Sequence, residues 1–354
     1  MIEEELRGAL ARLVDGLPPR KASAAVERLM AGYRGETPTG APLLRDRADV
    51  VAYAAYRMPA TFAAAASALA DFAARTGGWR PATHLDLGGG TGAAVWAAAA
   101  VWGDDAPGGG PRRTTVLDWA EPALGLGREL AAGAGRTAGD AGTGRALREA
   151  EWRLRSLRGQ PDGTPLPSAD LVTVSYVLGE LSGPDRDAAV AAAIGAAPAV
   201  VVTEPGTPDG YARVMAARDQ LIGSGMRVLA PCPHSARCPM VPGEDWCHFG
   251  TRVNRSSLLR QVKSGSLPYE DEKFSYVAAV RPEITGEPAT GRVVRRPQKR
   301  KGQVLLDLCT RDDGLRAATV TKRHGAAYRE ARDVKWGDTW PVPGPGTGGA
   351  GSAG

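Results

Sequence analysis

The sequence predicts an α/β fold built on a parallel sheet, and three observations lead to this prediction. Short apolar strands alternate with helices between residues 81 and 223. A glycine-rich turn, 88–92, separates the first of these strands from its helix. Acidic residues stand at the ends of the strands, at the edge where open α/β sheets bind ligands. At 354 residues the chain is long enough to bury such a core and to carry further domains.

Four strand–helix pairs make up the predicted sheet domain, residues 81–230. The strands are short and apolar, and the helices after them have apolar residues at helical spacing or are rich in alanine. The predicted strands are 83–87, 113–118, 169–176 and 199–204, and the helices that follow them are 92–102, 121–132, 184–196 and 209–223.

Residues 1–80 show no strand pattern and are predicted to form a helical N-terminal domain. Apolar residues recur at three- and four-residue spacing in 3–17 and 22–33. A long Ala-rich stretch, 46–74, contains Met58-Pro59. We expect the helix to stop and restart there, because proline has no backbone amide hydrogen to donate.

Beyond Gly225 the strand–helix alternation ends, and residues 231–340 are predicted to form a Cys-rich loop and a basic β extension. The predicted elements are a helix at 256–262, strands at 274–281 and 304–309, and a hairpin that turns at 312–314 into 316–322. The last segment, 341–354, is rich in Pro, Gly and Ser and is predicted to be disordered.

Positive charge is concentrated in the last third of the chain. Residues 231–354 hold 20 Lys and Arg against 13 Asp and Glu, whereas residues 1–230 hold 24 against 26. The excess peaks at 292–301, which has six basic residues and no acidic one. Such a run is typical of a solvated flexible loop, and the segregation of charge also favours contact with phosphates. The candidate phosphate-binding residues are Arg292, Arg295, Arg296, Lys299, Arg300, Lys301, Lys322 and Arg323.

The acidic start of the sequence, Met1–Leu6, fits neither a secretory signal nor an organellar transit peptide. No stretch approaches the roughly 20 uncharged apolar residues of a membrane span. We therefore expect a cytosolic protein without membrane association. Nothing in the sequence requires more than a monomer.

The segment Asp86–Gly92 has the composition of a cofactor loop. Glycines between a strand and a helix let the backbone approach a ligand, and the helix N-terminus favours a negative group. The spacing Gly88-x-Gly90-x-x-Ala93 also satisfies a dinucleotide fingerprint, while the lack of a following Lys-Ser/Thr excludes a P-loop. Asp86 favours S-adenosylmethionine, because its carboxylate can accept from the ligand's amino group. A glycine-rich turn without a ligand is the alternative.

Further acidic candidates follow the other strands. Asp118 ends the second strand, where a carboxylate can bind two ribose hydroxyls. Glu204 ends the fourth strand and Glu180 follows the third, although either is also compatible with a simple helix-start carboxylate. The predicted cofactor-binding residues are Asp86, Gly88, Gly90, Gly92, Asp118 and Glu204.

All four cysteines lie in the last third of the chain, at Cys232, Cys238, Cys247 and Cys309. Disulfides are rare in a cytosolic protein, so the candidates are a metal, a cluster or buried thiols. Three cysteines within 16 residues, beside several prolines, indicate a shaped loop. The paired ligands typical of structural zinc are absent, and irregular spacing suits a [4Fe–4S] cluster better, with zinc and no metal still open.

Several motifs occur together in one order along the chain. They are Leu85–Gly92, Glu204–Pro208, Cys232-Pro-His234, Cys238-Pro239, Trp246–Phe249, Asp307–Cys309, Thr321-Lys322, Ala331-Arg332 and Trp336–Asp338, with Tyr53–Pro59 upstream. This set resembles the methyltransferase-like assembly factors of the small ribosomal subunit. The resemblance covers roughly residues 45–340, and the cysteine block and the Trp336–Asp338 segment make it specific.

The resemblance implies a class I, Rossmann-like S-adenosylmethionine-dependent methyltransferase fold with an inserted [4Fe–4S] site. The implied cluster ligands are Cys232, Cys238, Cys247 and Cys309. It also implies association with small-subunit ribosomal RNA during assembly, through the basic residues of the last third.

After the third strand, where RNA methyltransferases often carry Asn/Asp-Pro-Pro-Tyr/Phe or a nucleophilic Cys, this chain has Ser175–Glu180. No catalytic residue can therefore be assigned. An active ribosomal RNA methyltransferase and a small-molecule methyltransferase with structural zinc are the alternatives.

Overall fold

The computed structural model describes residues 2–15, 47–135, 144–158, 165–254 and 269–341. The helices predicted at 22–33 and 256–262, and the predicted disordered tail beyond Pro341, lie outside these residues. Among the described residues, no helix combines the length and the apolar character needed to cross a membrane.

An eight-stranded sheet lies at the centre of the molecule. Its strands are β1 (Thr83–Leu87), β2 (Arg113–Asp118), β3 (Glu151–Leu154), β4 (Leu171–Ser175), β5 (Ala199–Pro205), β6 (Arg227–Ala230), β7 (Phe249–Asn254) and β8 (Tyr269–Val280). The first five are parallel, in the order β3-β2-β1-β4-β5. β8 runs antiparallel to β5 and pairs with both β6 and β7. This order is that of a Rossmann-like methyltransferase sheet, which confirms this part of the predicted fold.

The helices cover both faces of the sheet, which explains the apolar character of its central strands. They are α1 (Ile2–Asp15), α2 (Arg47–Ala73), α3 (Ala93–Trp102), α4 (Glu121–Ala132), α5 (Arg145–Arg148), α6 (Gly183–Ala196), α7 (Pro208–Gly223) and α8 (Ala326–Asp333). Ser182 and Thr207 cap the start of α6 and α7, each followed by a proline in the first turn. Strand β3 is not predicted from the sequence, because four largely exposed residues at the edge of the sheet are too few to show a reliable strand pattern.

Helix α2 is continuous through Pro59, so the predicted interruption at Met58-Pro59 is wrong. A proline inside a helix costs about 3 kcal/mol or more. Burial next to it offsets this cost: Ala55, Met58 and Ala60 are at most 3% exposed, and one buried Met side chain stabilises by about 1.5–3 kcal/mol. The residues of α2 share one hydrophobic core with α1, α3 and the sheet.

A second, four-stranded antiparallel sheet follows. Its strands are β9 (Gly291–Val293), β10 (Gln298–Arg300), β11 (Gln303–Thr310) and β12 (Gly314–Thr321), and β11 pairs with all three others. The hairpin predicted to turn at 312–314 is present as β11 and β12. A small core of its own, which includes Val293, Leu306 and Ala331, packs this sheet against α8.

Arg292, the first residue of the basic run, does not lie in a solvated loop as predicted. It lies in β9, where it is the register partner of Cys309 in β11, and it is only 3% exposed. Its Nη2 lies 2.5 Å from Asp71 Oδ2 at the end of α2, and Tyr276 donates a hydrogen bond to the same oxygen. Its other nitrogens donate to the carbonyls of Pro231 and Gly337, at 3.0 and 2.7 Å. One guanidinium therefore joins α2, the start of the cysteine loop and the C-terminal segment.

We expect Arg292→Leu to destabilise the fold by about 3 kcal/mol, because it leaves Asp71, whose side chain is 16% exposed, with the longer contact of 3.7 Å to Arg75. Urea unfolding of the ligand-free protein measures this change. The matched control is Arg316→Leu, whose guanidinium is exposed and pairs with Asp313, and which should cost about 0.5 kcal/mol or less. Equal losses in the two variants would contradict the role assigned to Arg292.

Candidate functional site

A cleft opens at the carboxyl ends of β1, β2 and β4, where open α/β sheets bind their ligands. It contains about 690 Å³ of empty space, including the part open to solvent. Its lining includes Tyr53, Met58 and Thr61 of α2, Asp86, the turn Gly88–Gly90, Asp118, Tyr176 and Glu180.

The glycine turn has a conformation and a packing that only glycine allows. Gly88 and Gly90 have φ angles of +65° and +53°. A Cβ at Gly88 would overlap the side chain of Val177, and a Cβ at Gly89 would overlap the carboxylate of Asp86. Gly88 and Gly89 are therefore required for close packing against Val177 and Asp86, whereas a Cβ at Gly90 would meet only Asp118 Oδ2, at 3.8 Å.

Asp86 presents an unused carboxylate oxygen beside this turn. The residue is fully buried, and Oδ1 accepts a hydrogen bond of 2.7 Å from Thr173 Oγ1. Oδ2 is buried without any hydrogen-bond partner in the described part of the chain. Burial raises the pKa of Asp86 to about 7, because the apolar surroundings disfavour its charged form. A carboxylate with one free oxygen fits the ammonium group of S-adenosylmethionine, so these residues fit that cofactor.

Asp118 fixes the glycine turn from the neighbouring strand. Its Oδ2 accepts from the amide of Gly90 at 2.9 Å, and its Oδ1 accepts from the amide of Ala120 at 2.8 Å. Burial raises the pKa of Asp118. Each carboxylate oxygen has a second lone pair, so the side chain can also accept from ligand hydroxyls.

Two predicted cofactor residues lie outside the lining of the cleft. Gly92, at φ +85°, is the residue before α3, and a Cβ there would overlap Trp152. Glu204 is buried, and its carboxylate accepts hydrogen bonds from Arg213 Nε at 2.6 Å and from the amide of Leu178 at 3.1 Å. Both residues support the structure around the cleft, but neither is among the residues that line it.

Tyr176 and Glu180 line the cleft, but the sequence assigns no function to Tyr176. Tyr176 adopts a φ of +59°, which is rare for a residue with a side chain. Its hydroxyl donates to Glu272 Oε1 at 3.0 Å, and Arg57 donates to the same oxygen at 3.2 Å. Burial raises the pKa of Glu180 to about 7, and repulsion from Asp118 adds to this effect. Since Glu272 follows Tyr176 by 96 residues, no local sequence signal predicts this contact.

The four cysteines line a second cavity together with His234, with about 550 Å³ of empty space that again includes the part open to solvent. Cys309 Sγ lies 3.7 Å from His234 Nε2, and Tyr211 Oη lies 3.4 Å from Cys238 Sγ. Burial raises the pKa of Cys247 well above its ordinary value and that of Cys309 to about 12. Over the described residues, no three His, Cys, Asp or Glu side chains are arranged to hold a metal ion. The fold thus brings the four thiols to one cavity, but it does not form the predicted ligand set.

The predicted phosphate-binding residues divide into two groups. Arg292 is buried against Asp71, and Arg295 pairs with Asp245, so the structure contradicts a free phosphate contact by Arg292. The turn between β10 and β11 lies beside the end of β12, where the amide of Lys322 donates to the carbonyl of Gly302 at 3.1 Å. We define the basic hairpin surface by five exposed residues near this junction: Lys299, Arg300, Lys301, Lys322 and Arg323. Arg296 is also exposed.

Residues 47–341 match the protein family described as mitochondrial small ribosomal subunit Rsm22. The chain belongs to the Rsm22 family. Over 303 residues it is 28% identical to the human mitochondrial ribosome assembly protein METTL17, covering 82% of this chain and 62% of the human protein. It is 24% identical over 179 residues to the mitochondrial ribosome assembly protein RSM22 of Saccharomyces cerevisiae, covering 32% of this chain and 28% of the yeast protein. The Rsm22-family chain thus spans less than two thirds of the length of these relatives.

Among solved structures, the Rsm22-family chain resembles a putative RNA methyltransferase from Pyrococcus horikoshii. The sequences are 13% identical, the TM-score is 0.38, and the match covers 73% of this chain and 96% of that one. An O-methyltransferase family protein from Burkholderia thailandensis gives 14% identity and a TM-score of 0.41, covering 73% and 68%.

The relatives correct the expected location. The sequence alone predicts a cytosolic protein. The family and the human and yeast relatives are mitochondrial by name, so the comparisons point to the mitochondrion and the cytosolic expectation is wrong.

We expect the affinity for S-adenosylhomocysteine to fall below about pH 7, by up to about tenfold per pH unit. Above that pH, Asp86 is ionised and can pair with the ligand's ammonium group, whereas below it each binding event must first remove a proton. Titration calorimetry between pH 5.5 and 8.5 measures the profile. Asp86→Asn should bind weakly and without this dependence.

Glu180 provides the control, because its pKa is also raised to about 7 and it lines the same cleft. Glu180→Gln should keep the pH dependence of the wild-type protein. If the dependence disappears in Glu180→Gln and persists in Asp86→Asn, the titrating group is Glu180.

Proposed function

We propose that this Rsm22-family chain is an S-adenosylmethionine-binding factor that associates with small-subunit ribosomal RNA during ribosome assembly. One observation carries the proposal: this member of the family has both a cofactor-type cleft and a separate basic hairpin surface. Its relatives in human and in S. cerevisiae are ribosome assembly proteins by name. That the protein is a monomer remains a prediction from the sequence.

The basic hairpin surface supports RNA binding. Its five residues are exposed, and no acidic residue lies in β10 or in the turn that follows it. Phosphate contacts by Lys and Arg release counterions, so such binding weakens steeply with salt. Arg292 is excluded from this surface because its charge is already neutralised by Asp71.

The cleft supports binding of the cofactor as a ligand that is not turned over. S-adenosylmethionine supplies a transferable methyl group when bound. Tyr176 follows β4, where RNA methyltransferases often place catalytic residues, and its ring lies against the cleft while Glu272 and Arg57 hold it. The left-handed backbone of Tyr176 is a costly conformation, of order 1–3 kcal/mol, that the surrounding contacts must maintain. Within this proposal, Tyr176 fills the position that an acceptor base would need.

The cysteine cavity supports the finer proposal of a [4Fe–4S] cluster held by Cys232, Cys238, Cys247 and Cys309. The thiols share one cavity, and two buried arginines accompany them. Arg218 and Arg292 both lower the pKa of Cys232 against the raising effect of burial. A cluster bound by four thiolates is an anion, which a cation in a site of low dielectric stabilises. Arg218 is the stronger candidate for this role, because the charge of Arg292 is already paired with Asp71.

Reversing two charges on the basic hairpin surface should weaken RNA binding about tenfold or more at moderate salt. We expect Lys299→Glu/Lys301→Glu to reduce the slope of log affinity against log salt by about 0.7 for each phosphate of a single strand that the variant no longer neutralises. Filter binding with a fragment of small-subunit ribosomal RNA measures both quantities.

The control for this experiment changes the net charge equally. Arg113→Glu/Arg128→Glu reverses two exposed arginines of the sheet domain and should leave the salt slope unchanged. Equal effects of the two double variants would contradict the assignment of the surface. Methyl-labelled S-adenosylmethionine in the same mixture tests transfer, and labelled RNA would establish the alternative of an active ribosomal RNA methyltransferase.

Anaerobically purified protein should contain iron and sulfide and show the visible absorption of an iron–sulfur protein. Cys247→Ser should lose that iron, because one thiolate ligand is missing. His234→Gln is the control, since His234 lines the cavity but lies outside the proposed ligand set. Colourless wild-type protein with stoichiometric zinc would overturn the cluster and support the structural zinc alternative.

A further inference from the structure

A chain of buried hydrogen bonds reaches Asp86 from below the glycine turn. His84 Nε2 lies 2.8 Å from Thr173 Oγ1, and Thr173 Oγ1 lies 2.7 Å from Asp86 Oδ1. All three side chains are at most 1% exposed. Asp86 and Thr173 are register partners on neighbouring strands, and His84 is two residues earlier on the same face of β1. The arrangement is therefore fixed by the backbone of the sheet.

The direction of each hydrogen bond follows from the donors that are present. The hydroxyl of Thr173 has one hydrogen, which it donates to the carboxylate of Asp86. It must then accept from His84, so the neutral imidazole carries its hydrogen on Nε2. Burial lowers the pKa of His84 to about 3, which keeps the ring neutral at physiological pH. His84 thus fixes Thr173 as a donor toward Asp86.

This chain of bonds uses only one oxygen of Asp86. Oδ1 accepts from Thr173, while Oδ2 is buried without a partner among the described residues and lies against Gly89, where any larger residue would overlap it. Asp86 is among the residues that line the cleft, and its Oδ2 lies beside the glycine turn that forms the floor of that cleft. A buried carboxylate oxygen without a donor is unfavourable, so a donor from a ligand is strongly favoured there.

We propose that His84 and Thr173 are positioning residues, which orient Asp86 so that Oδ2 receives the α-ammonium group of S-adenosylmethionine or S-adenosylhomocysteine. This inference rests on the proposed cofactor. It assigns the amino-acid end of the ligand to β1 and β4. It also separates recognition of that end from recognition of the adenosine end, which Asp118 serves from β2 within the same proposal.

The alternative is that the three residues only satisfy one another and maintain the fold. Two ligands distinguish these cases. S-adenosylhomocysteine has the α-ammonium group, whereas 5′-methylthioadenosine lacks the whole amino-acid portion. A positioning role changes the affinity for the first ligand alone, whereas a purely structural role changes both affinities together or neither.

The test is titration calorimetry of the full chain at pH 8 with both ligands. Thr173→Val keeps the shape but removes the hydroxyl, and it should weaken S-adenosylhomocysteine about tenfold while changing 5′-methylthioadenosine less than about twofold. Thr173→Ser keeps the hydroxyl and should restore the wild-type ratio. His84→Leu should act in the same direction as Thr173→Val, and His84→Gln, which retains a donor nitrogen, should recover most of the loss.

The outcomes distinguish a failure of the cofactor from a failure of the positioning role. Wild-type protein that binds neither ligand would overturn the proposed cofactor itself. Wild-type binding with an unchanged ratio of the two affinities in Thr173→Val and His84→Leu would overturn only the positioning role. Circular dichroism establishes that each variant is folded, and Thr173→Ala replaces Thr173→Val if the latter does not fold.

Discussion

The buried ion pair between Asp71 and Arg292 holds together parts of the chain that are distant in sequence. Asp71 lies near the end of α2, the helix whose Tyr53, Met58 and Thr61 line the cofactor cleft. Arg292 lies in β9, the first strand of the second sheet, and also donates to the carbonyl of Pro231, the residue before Cys232. A charge pair with so little exposure is stable only while both partners and their hydrogen bonds are in place. This one contact therefore joins helix α2, which lines the cleft, to the cysteine loop and to the C-terminal sheet.

The cofactor cleft is built at a cost in stability. Asp86 and Glu180 both have a raised pKa because burial disfavours their ionised forms, and Tyr176 adds a left-handed backbone. Between pH 4 and 7 a buried carboxyl of raised pKa holds a proton that the unfolded chain has released, so its contribution to stability declines as pH rises. Unfavourable groups of this kind are concentrated at functional sites. In this protein they surround a single glycine turn.

Charged residues that look alike in the sequence have very different surroundings in the fold. The run 292–301 contains Arg292, which is buried and paired, and Lys301, which is exposed. Glu204 lies near the carboxyl end of β5 and is held by Arg213. Asp86 lies near the carboxyl end of β1, and its Oδ2 has no partner in the described part of the chain. Composition counts charges, but the partner of each charge depends on which distant segment packs beside it. Electrostatic function can therefore be located only after the fold is known.

The sequence by itself determined the parallel strands, the helices between them, the glycine turn and the hairpin at 312–314, because these depend on local periodicity and on turn chemistry. Only the tertiary structure decided the course of α2 through Pro59, the edge strand β3 and the gathering of four cysteines at one cavity. The same holds for the contacts of Tyr176 with Glu272 and of His84 with Thr173. Each of these is decided by packing between segments far apart in the chain, and local periodicity and turn chemistry carry no information about such packing.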